Sequence, residues 1–242
     1  MEANKVLTSL IMLKSIAITL LISVRSMYEA HRGFLRRDRI DRRLRWWSAR
    51  LLDYVRLSVS LVNPYNVRFE QGKPTIIMSN HSSLYDIPIT FVTLPGSIRM
   101  LTKKELFQFP IWGKGMRAAE FISIDRDNRR QAFRDLQEAK KKMESGIVLW
   151  VAPEGTRSRT GELGSFKKGG FMLASRTGAT IVPVGIRGAN RVLPAKTSRF
   201  HLNQRVEVHV GEPIEASAFD RKNLEGLMKE VELRIRSLMG DE

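Results

Sequence analysis

The chain has 242 residues and a mass of 27.7 kDa, with 43% apolar and 27% charged residues. That is enough for one catalytic-size domain, or one domain with a small appendage, around a real core. It contains no cysteine, which excludes a disulfide scaffold, a thiolate nucleophile and any cysteine-ligated zinc or iron–sulfur centre. Lys and Arg number 41 against 25 Asp and Glu, so the net charge is +16 and acidic partners are expected: nucleic acid, anionic lipid or a phosphorylated substrate.

The first 62 residues differ from the rest. Residues 6–24 hold 13 apolar residues in 19, and Lys14 is their one charge. As a helix the run is about 28 Å long, close to the hydrocarbon thickness of a bilayer. It is too long for a secretory signal peptide and lacks a small-residue cleavage site. Lys14 at mid-bilayer costs roughly 2.5–3.5 kcal/mol unless it snorkels to a surface. Thr8, Ser15, Thr19 and Ser23 share one helical face, a small polar stripe suited to close helix packing. Residues 25–50 carry nine arginines and three acids, with Trp46 and Trp47 near the end. A second, weaker apolar stretch follows at 51–62. Arginines and tryptophans beside apolar runs suit an anionic cytoplasmic leaflet. Residues 1–62 are therefore expected to form a membrane anchor of two helices. A buried helix followed by a solvated basic one is the plainer alternative. The 6–24 run has the length either to span or to enter one leaflet.

From about Pro64 the pattern alternates between strand and helix. Short apolar runs at 75–78, 98–101 (interrupted by Arg99), 121–124, 147–151 and 181–184 mostly lack polar alternation, as strands covered on both faces do. Residues 128–144 place Ala132, Phe133, Leu136, Ala139 and Met143 on one helical face, and Gly146 stops that helix. A last helix at about 221–238 has a similar stripe of Leu224, Leu227, Met228, Val231, Ile235 and Leu238. The expected fold is α/β, with a mixed, mostly parallel central sheet flanked by helices over residues 63–242.

Four clusters fall at the carboxyl ends of expected strands, where active groups gather in such folds. The first is Asn80-His81-Ser82-Ser83-Leu84-Tyr85-Asp86. Five residues apart, His81 and Asp86 would be about 140° apart on a helix. They meet only with His81 in the strand–helix loop and Asp86 in the first helical turn. There a carboxylate can orient the ring and leave its other nitrogen to take a proton. That is a base and its orienter without an enzyme nucleophile, so the attacking hydroxyl would belong to the substrate. The competing structural role for Asp86 is an N-cap. The second cluster is Pro153-Glu154-Gly155-Thr156-Arg157-Ser158-Arg159 with Lys167-Lys168-Gly169-Gly170, suited to a phosphate. It is not a P-loop, because Gly170-Phe171 stand where Lys-Ser/Thr would be needed. Ile124-Asp125-Arg126 and Lys103-Lys104 offer further cations, otherwise a local ion pair and a solvated face. The four histidines, His31, His81, His201 and His209, form no tight ligand pair, so no metal is expected. Trp46 and Trp47 could stack on bases. No zinc-finger, RNP-like or basic-region pattern accompanies them, so nucleic acid is not the expected partner.

Asn80-His81-x4-Asp86, Phe121-Ile122-x-Ile124-Asp125-Arg126, Pro153-Glu154-Gly155-Thr156-Arg157 and Ile181-Val182-Pro183-Val184 resemble, in order, the four blocks of the glycerolipid acyltransferases. The resemblance is greatest to the bacterial 1-acyl-sn-glycerol-3-phosphate (lysophosphatidic acid) acyltransferases and covers about residues 75–185. Glu120 stands where a Gly or small residue is often seen before the second block. The resemblance implies that His81 takes the proton from the sn-2 hydroxyl of lysophosphatidic acid and that Asp86 holds its tautomer. The hydroxyl would attack the thioester of acyl-acyl carrier protein or acyl-CoA, with no acyl-enzyme and no cofactor. Arg126 and Arg157 would bind the acceptor's phosphate, with Lys103 or Lys104 as a further candidate. Glu154, Gly155 and Thr156 would shape the pocket together with Asn80 and Ser82, Glu154 also keeping Arg157 in place. Residues 181–184 would be structural and line the acyl side. The implied partners are anionic membrane lipid, lysophosphatidic acid and an acyl donor, at the cytoplasmic face of the inner membrane. Glycerol 3-phosphate, another lysophospholipid or a lipid A precursor are alternative acceptors within the same chemistry.

Overall fold

The computed structural model describes residues 1–70, 72–124, 129–220 and 224–240. Helix α1, Lys5–His31, starts at Asn4, whose side chain accepts from the Leu7 amide at 2.9 Å. Its polar stripe faces the protein. Ser23 and Ser26 are buried, and Ser15, Thr19, Ser23 and Ser26 each donate to the carbonyl four residues back. Their hydroxyls therefore enter a tight interface already satisfied. The apolar side faces outward: Val6 is 75% and Leu13 66% exposed, with Leu10, Leu21 and Val24 also exposed. Only 11% of its most apolar window is buried. Such a face fits association with lipid, not contact with water.

Helix α2, Arg37–Tyr54, returns alongside and buries Ile40, Leu44, Leu51 and Leu52. Trp47 Nε1 donates to Thr19 Oγ1 at 2.9 Å, and Arg43 donates to Ser26 Oγ and Glu29 Oε1, both at 2.7 Å. Lys14 is exposed, its ammonium 5.7 Å from the centre of the Tyr54 ring. The expected second anchor helix does not reach residue 62. Arg56 takes a left-handed turn (φ 51°) and Ser58–Val62 is strand β1. The alternating, β-branched run Ser58-Val59-Ser60-Leu61-Val62 suits an edge strand better than a helix.

The remaining elements follow in order: β2 Thr75–Ser79, α3 Asp86–Thr93, β3 Ser97–Lys103, α4 Trp112–Ala118, β4 Ile122–Ile124, α5 Arg129–Glu144 and β5 Ile147–Val151. Then come α6 Lys168–Thr177, β6 Thr180–Arg187, β7 Arg205–Val210, β8 Ile214–Glu215 and α7 Leu224–Met239. Among the described residues these strands form one eight-stranded sheet in the order β1-β7-β6-β2-β5-β3-β4, with β8 beside β6. The run β6-β2-β5-β3-β4 is parallel, and β7 and β8 pair antiparallel with β6. The fold is the expected mixed, mostly parallel sheet flanked by helices.

Alternate residues of β2, β5 and β6 feed two apolar layers. Ile77, Trp150, Val182 and Val184 pack toward α2 and α3, with Leu44, Leu52 and Ile89. Ile76, Met78, Leu149 and Ile181 pack with Leu136, Ala139 and Met143 of α5, Phe171 and Leu173 of α6, and Leu227, Val231 and Ile235 of α7. Cover on both faces is the reason these strands read as unbroken apolar runs. The side chains of Ala132 and Phe133, and Asn128 and Arg221 at the expected helix starts, lie outside the described residues.

α1 reaches the domain through α4. A Cβ on Gly115 would stand 2.5 Å from the Ser23 Cβ, so only glycine permits this approach. The α2–β3 contact holds a buried ion group. Arg99, 0% exposed, donates to Asp41 Oδ1 at 2.7 Å and to the carbonyls of Ala119 (2.6 Å) and Ile98 (2.8 Å). Arg37 grips both oxygens of Glu120 at 2.8 and 2.7 Å, and Glu120 Oε2 lies 3.7 Å from Arg99. Glu120 has φ 64°, a conformation glycine adopts without strain. In this chain the position instead supplies a carboxylate to two arginines.

Candidate active site

The parallel register sets the site. Met78 of β2 pairs with Val151 of β5, so three residues further on His81 and Glu154 leave adjacent strands at one level. The His81 amide donates to Glu154 Oε1 at 2.9 Å, and the Ser158 amide donates to the His81 carbonyl at 2.7 Å. Both backbone groups of His81 are thus fixed by the loop after β5. Glu154 Oε2 accepts from the Gly164 amide at 2.9 Å. Burial pushes the Glu154 carboxyl above its ordinary range, and these two amides oppose the shift. Its oxygens brace the two loops, a different task from the expected pairing with Arg157.

Asp86 is the first residue of α3 and His81 lies in the loop before it, the arrangement the spacing requires. Asp86 Oδ2 accepts from the amides of Ser82 (2.8 Å) and Ser83 (2.9 Å) and lies 2.7 Å from His81 Nδ1. An oxygen already accepting two amides faces a third donor, so Nδ1 carries a proton, and in the neutral ring the lone pair is on Nε2. Asp86 is 0% and His81 15% exposed by side chain. The orienter is sealed and the ring edge is open. Trp150 meets the imidazole edge-on, with centroids 5.4 Å apart and planes at 85°. The Trp150 Nε1 donates to Ser79 Oγ at 3.0 Å, and that hydroxyl donates to the Asn80 carbonyl, also at 3.0 Å. Trp150 was missed in the sequence, where its only signal is its place near the end of a strand.

Asn80, expected to line the pocket, is instead a brace between strand ends. Its Nδ2 donates to the Ile186 carbonyl at 2.9 Å and its Oδ1 accepts from the Ile186 amide at 2.7 Å. Ser82 is buried and contributes its amide to Asp86. Ser83 Oγ is occupied by the Leu193 carbonyl at 2.9 Å. The Ser83 hydroxyl is therefore not free to act as a nucleophile before His81. Gly155 turns the chain with φ 73°, leaving Thr156 exposed and Arg157 half-buried. Arg157 forms no ion pair with another described residue. Lys103 ends β3, exposed, and pairs in register with Ile124 of β4. Lys104 opens the short 3-10 helix Lys104–Gln108. Arg126 and Asp125 lie outside the described residues. A cavity of about 1160 Å³ opens beside these strand ends, lined by Leu101, Ile124, Pro153, Gly155 and Lys167 among others. Among the described residues no group of three or more carboxylates and histidines is placed to hold a metal ion.

Comparison with known proteins adds the lineage. The family model "Acyltransferase" matches residues 61–187. The chain is 28% identical over 187 residues to the 1-acyl-sn-glycerol-3-phosphate acyltransferase of Haemophilus influenzae, covering 75% of this chain and 74% of that one. It is 32% identical over 172 residues to the chloroplastic 1-acyl-sn-glycerol-3-phosphate acyltransferase LPAT1 of Arabidopsis thaliana, covering 67% and 48%. The chain spans less than half the length of the plant relatives it matches, 48% and 42% for two of them. The crystal structure of the 1-acyl-sn-glycerophosphate (LPA) acyltransferase PlsC from Thermotoga maritima superposes with a TM-score of 0.72 at 25% identity, over 94% of this chain and 97% of that one. The family match covers more than half the chain and contains the whole loop system built around His81, Asp86 and Glu154, so the chain belongs to the acyltransferase family.

Proposed function

We propose that this chain transfers an acyl group from a thioester to the sn-2 hydroxyl of lysophosphatidic acid, forming phosphatidic acid. The observation that carries the reading is the His81–Asp86 pair, with Nε2 in no hydrogen bond among the described residues, the Ser83 hydroxyl held by the Leu193 carbonyl and no cysteine in the chain. His81 Nε2 takes the hydroxyl proton as the oxygen attacks the thioester carbon. The carbon–sulfur bond then breaks, and the departing thiolate takes that proton from His81. No acyl-enzyme and no cofactor enter this sequence. The Asp86 carboxylate stabilises the imidazolium between the two steps.

Arg157, half-buried and without an ion-pair partner among the described residues, would take the acceptor's phosphate. Arg126 and one of Lys103 and Lys104 would join it, with Gly155 and Thr156 shaping the pocket. Residues 1–62 would hold the catalytic domain, 63–242, to the cytoplasmic face of the inner membrane, with β1 stitching the two together. The exposed apolar face of α1 and the exposed Arg32, Arg39 and Arg45 suit anionic lipid. The same lipid phosphate accounts for the +16 charge without invoking nucleic acid.

The deciding experiment follows labelled acyl chains from acyl-CoA and from acyl-acyl carrier protein to lysophosphatidic acid in detergent micelles, with His81→Ala alongside. Phosphatidic acid from the wild type but not the variant is expected. Equal rates with a neutral monoacylglycerol would sink the phosphate assignment, and no product with either donor would move the search to other lysolipid acceptors.

A further inference from the structure

A second polar cavity lies on the β6 side of the catalytic loop. It encloses about 420 Å³, and its lining includes Ser158, Arg159, Asn190, Arg191, His201 and Gln204. Two glycines in left-handed conformations clear room for its walls. At Gly188 (φ 88°) a Cβ would come within 2.7 Å of the Arg191 guanidinium, and at Gly161 (φ 92°) within 2.7 Å of the Asn190 amide nitrogen. Residues 188–206 include Arg191, Lys196, Arg199 and Arg205 and no Asp or Glu, and residues 155–161 include Arg157 and Arg159 and no acid. Arg159 and Arg191 are exposed, and neither forms an ion pair with another described residue. Glu2 forms a backbone bridge with His201, but its side chain is exposed and is not part of the lining. A pocket of guanidinium, amide, hydroxyl and imidazole groups without an acid is chemistry for a phosphate.

Both walls are hydrogen-bonded to the catalytic loop. The Ser158 amide holds the His81 carbonyl at 2.7 Å, and Ser83 Oγ holds the carbonyl of Leu193, next to the lining residue Pro194, at 2.9 Å. The ligand's identity rests on the acyl-transfer reading. Lysophosphatidic acid has one phosphate, and Arg157 is already assigned to it. The donor brings its own phosphate at the far end of the pantetheine arm that carries the thioester, and acyl-CoA adds two more beyond it. We propose that this cavity binds the donor's pantetheine-linked phosphate, with Arg159 and Arg191 as its cations. Acyl-CoA and acyl-acyl carrier protein share that group.

The test uses the full chain carrying Arg159→Gln and Arg191→Gln, checked for unchanged thermal unfolding, with Arg191→Lys as the charge-keeping control. The KM for each donor is measured at saturating lysophosphatidic acid, and the KM for lysophosphatidic acid at saturating donor. Binding of CoA and of 4′-phosphopantetheine is followed by calorimetry, which needs no turnover. The expected result is a donor KM raised about tenfold, with weaker CoA binding, an unmoved acceptor KM and partial recovery in Arg191→Lys. A rise for both donors would support the shared pantetheine-linked phosphate, and a rise for acyl-CoA alone would overturn it in favour of the nucleotide end. An unchanged donor KM with unchanged CoA binding would overturn the proposal. So would an effect confined to the acceptor, or to pelleting with phosphatidylglycerol vesicles. A wild type that makes no phosphatidic acid but binds CoA more tightly than Arg159→Gln and Arg191→Gln would defeat the lysophosphatidic acid reading while leaving the cavity's ligand supported.

Discussion

Two buried charged groups in this molecule are held in opposite ways. At the end of β2 the Asp86 carboxylate is sealed, and Oδ2 gathers two backbone amides and one imidazole nitrogen. The second nitrogen of that imidazole is left unspent at the surface. At the α2–β3 contact the Arg99 guanidinium is equally sealed, but the groups it meets are all protein: Asp41, two carbonyls and Glu120, the last 3.7 Å from an Nη2 that makes no hydrogen bond of its own. Burial pulls the Arg99 guanidinium below its ordinary range and Asp41 works against that, while Arg37 holds the Glu120 carboxyl low. The first arrangement ends in an open lone pair and can move a proton. The second ends in other protein groups and can only hold helix to sheet. Burial of charge alone therefore does not mark a reactive site; an unpaired atom on a ring that is partly open does, whereas the unpaired Nη2 of Arg99 is shut in.

The sharpest way to break this contrast is His81→Ala. It is expected to cut turnover by about 10²–10⁴-fold and leave thermal unfolding nearly unchanged, read by acyl transfer and calorimetry on the same sample. Activity near wild type would remove His81 as the base. Asp41→Ala is the mirror experiment. It strands Arg99 in the core and should cost about 3–5 kcal/mol in denaturant unfolding, while turnover per folded molecule stays near wild type. A variant as stable as the wild type would show that the closed group carries no weight. Trp150→Phe keeps an aromatic edge at His81 and deletes the bond to Ser79, for about 1 kcal/mol of stability. A shift in the pH profile of kcat/KM would place Trp150 on the reactive side of the contrast rather than the structural one.

The smallest effect is Glu154→Gln read against pH. The carboxyl is pushed above its usual 4.5 in the folded state, so folding favours its protonated form. That stabilisation is fully present below the unfolded value and is lost as pH rises through the folded one. Glutamine does not titrate. Wild-type stability relative to the variant should therefore fall as pH rises from about 4, then level off. A difference that grows with pH would contradict the burial argument.

The buried parallel strands were legible because cover on both faces leaves apolar runs with little alternation. What escaped was the antiparallel flank. Residues 205–210, Arg-Val-Glu-Val-His-Val, alternate with the two-residue period of a half-covered strand, and they form β7 with every second residue buried. β1 reads as the end of a helix by its apolar content, while its two-residue period is that of a strand. Within the site, spacing says where His81 and Asp86 must sit if they are to meet, loop and first helical turn; that they do meet was implied by the family resemblance. The tasks of Asn80 and Glu154 did not follow. Each serves a backbone group more than 70 residues away, and no local pattern encodes such a partner. Arg99 looked like a flaw in a strand because Asp41 and Glu120, which make its burial tolerable, lie in other elements.

The placement of α1 bears on how rate depends on substrate. Residues at its start are tied to the loop after β6, with the Ala3 amide on the Phe200 carbonyl and the Leu202 amide on the Met1 carbonyl, both at 2.8 Å. Its apolar face thus begins beside the edge of the sheet that carries His81. On the proposed reaction, the acceptor meets the enzyme by lateral diffusion within the lipid layer. The governing variable is then the mole fraction of acceptor among surrounding lipids, not its amount per litre. Adding inert lipid at constant acceptor would slow turnover by surface dilution alone, with every contact in the site unchanged.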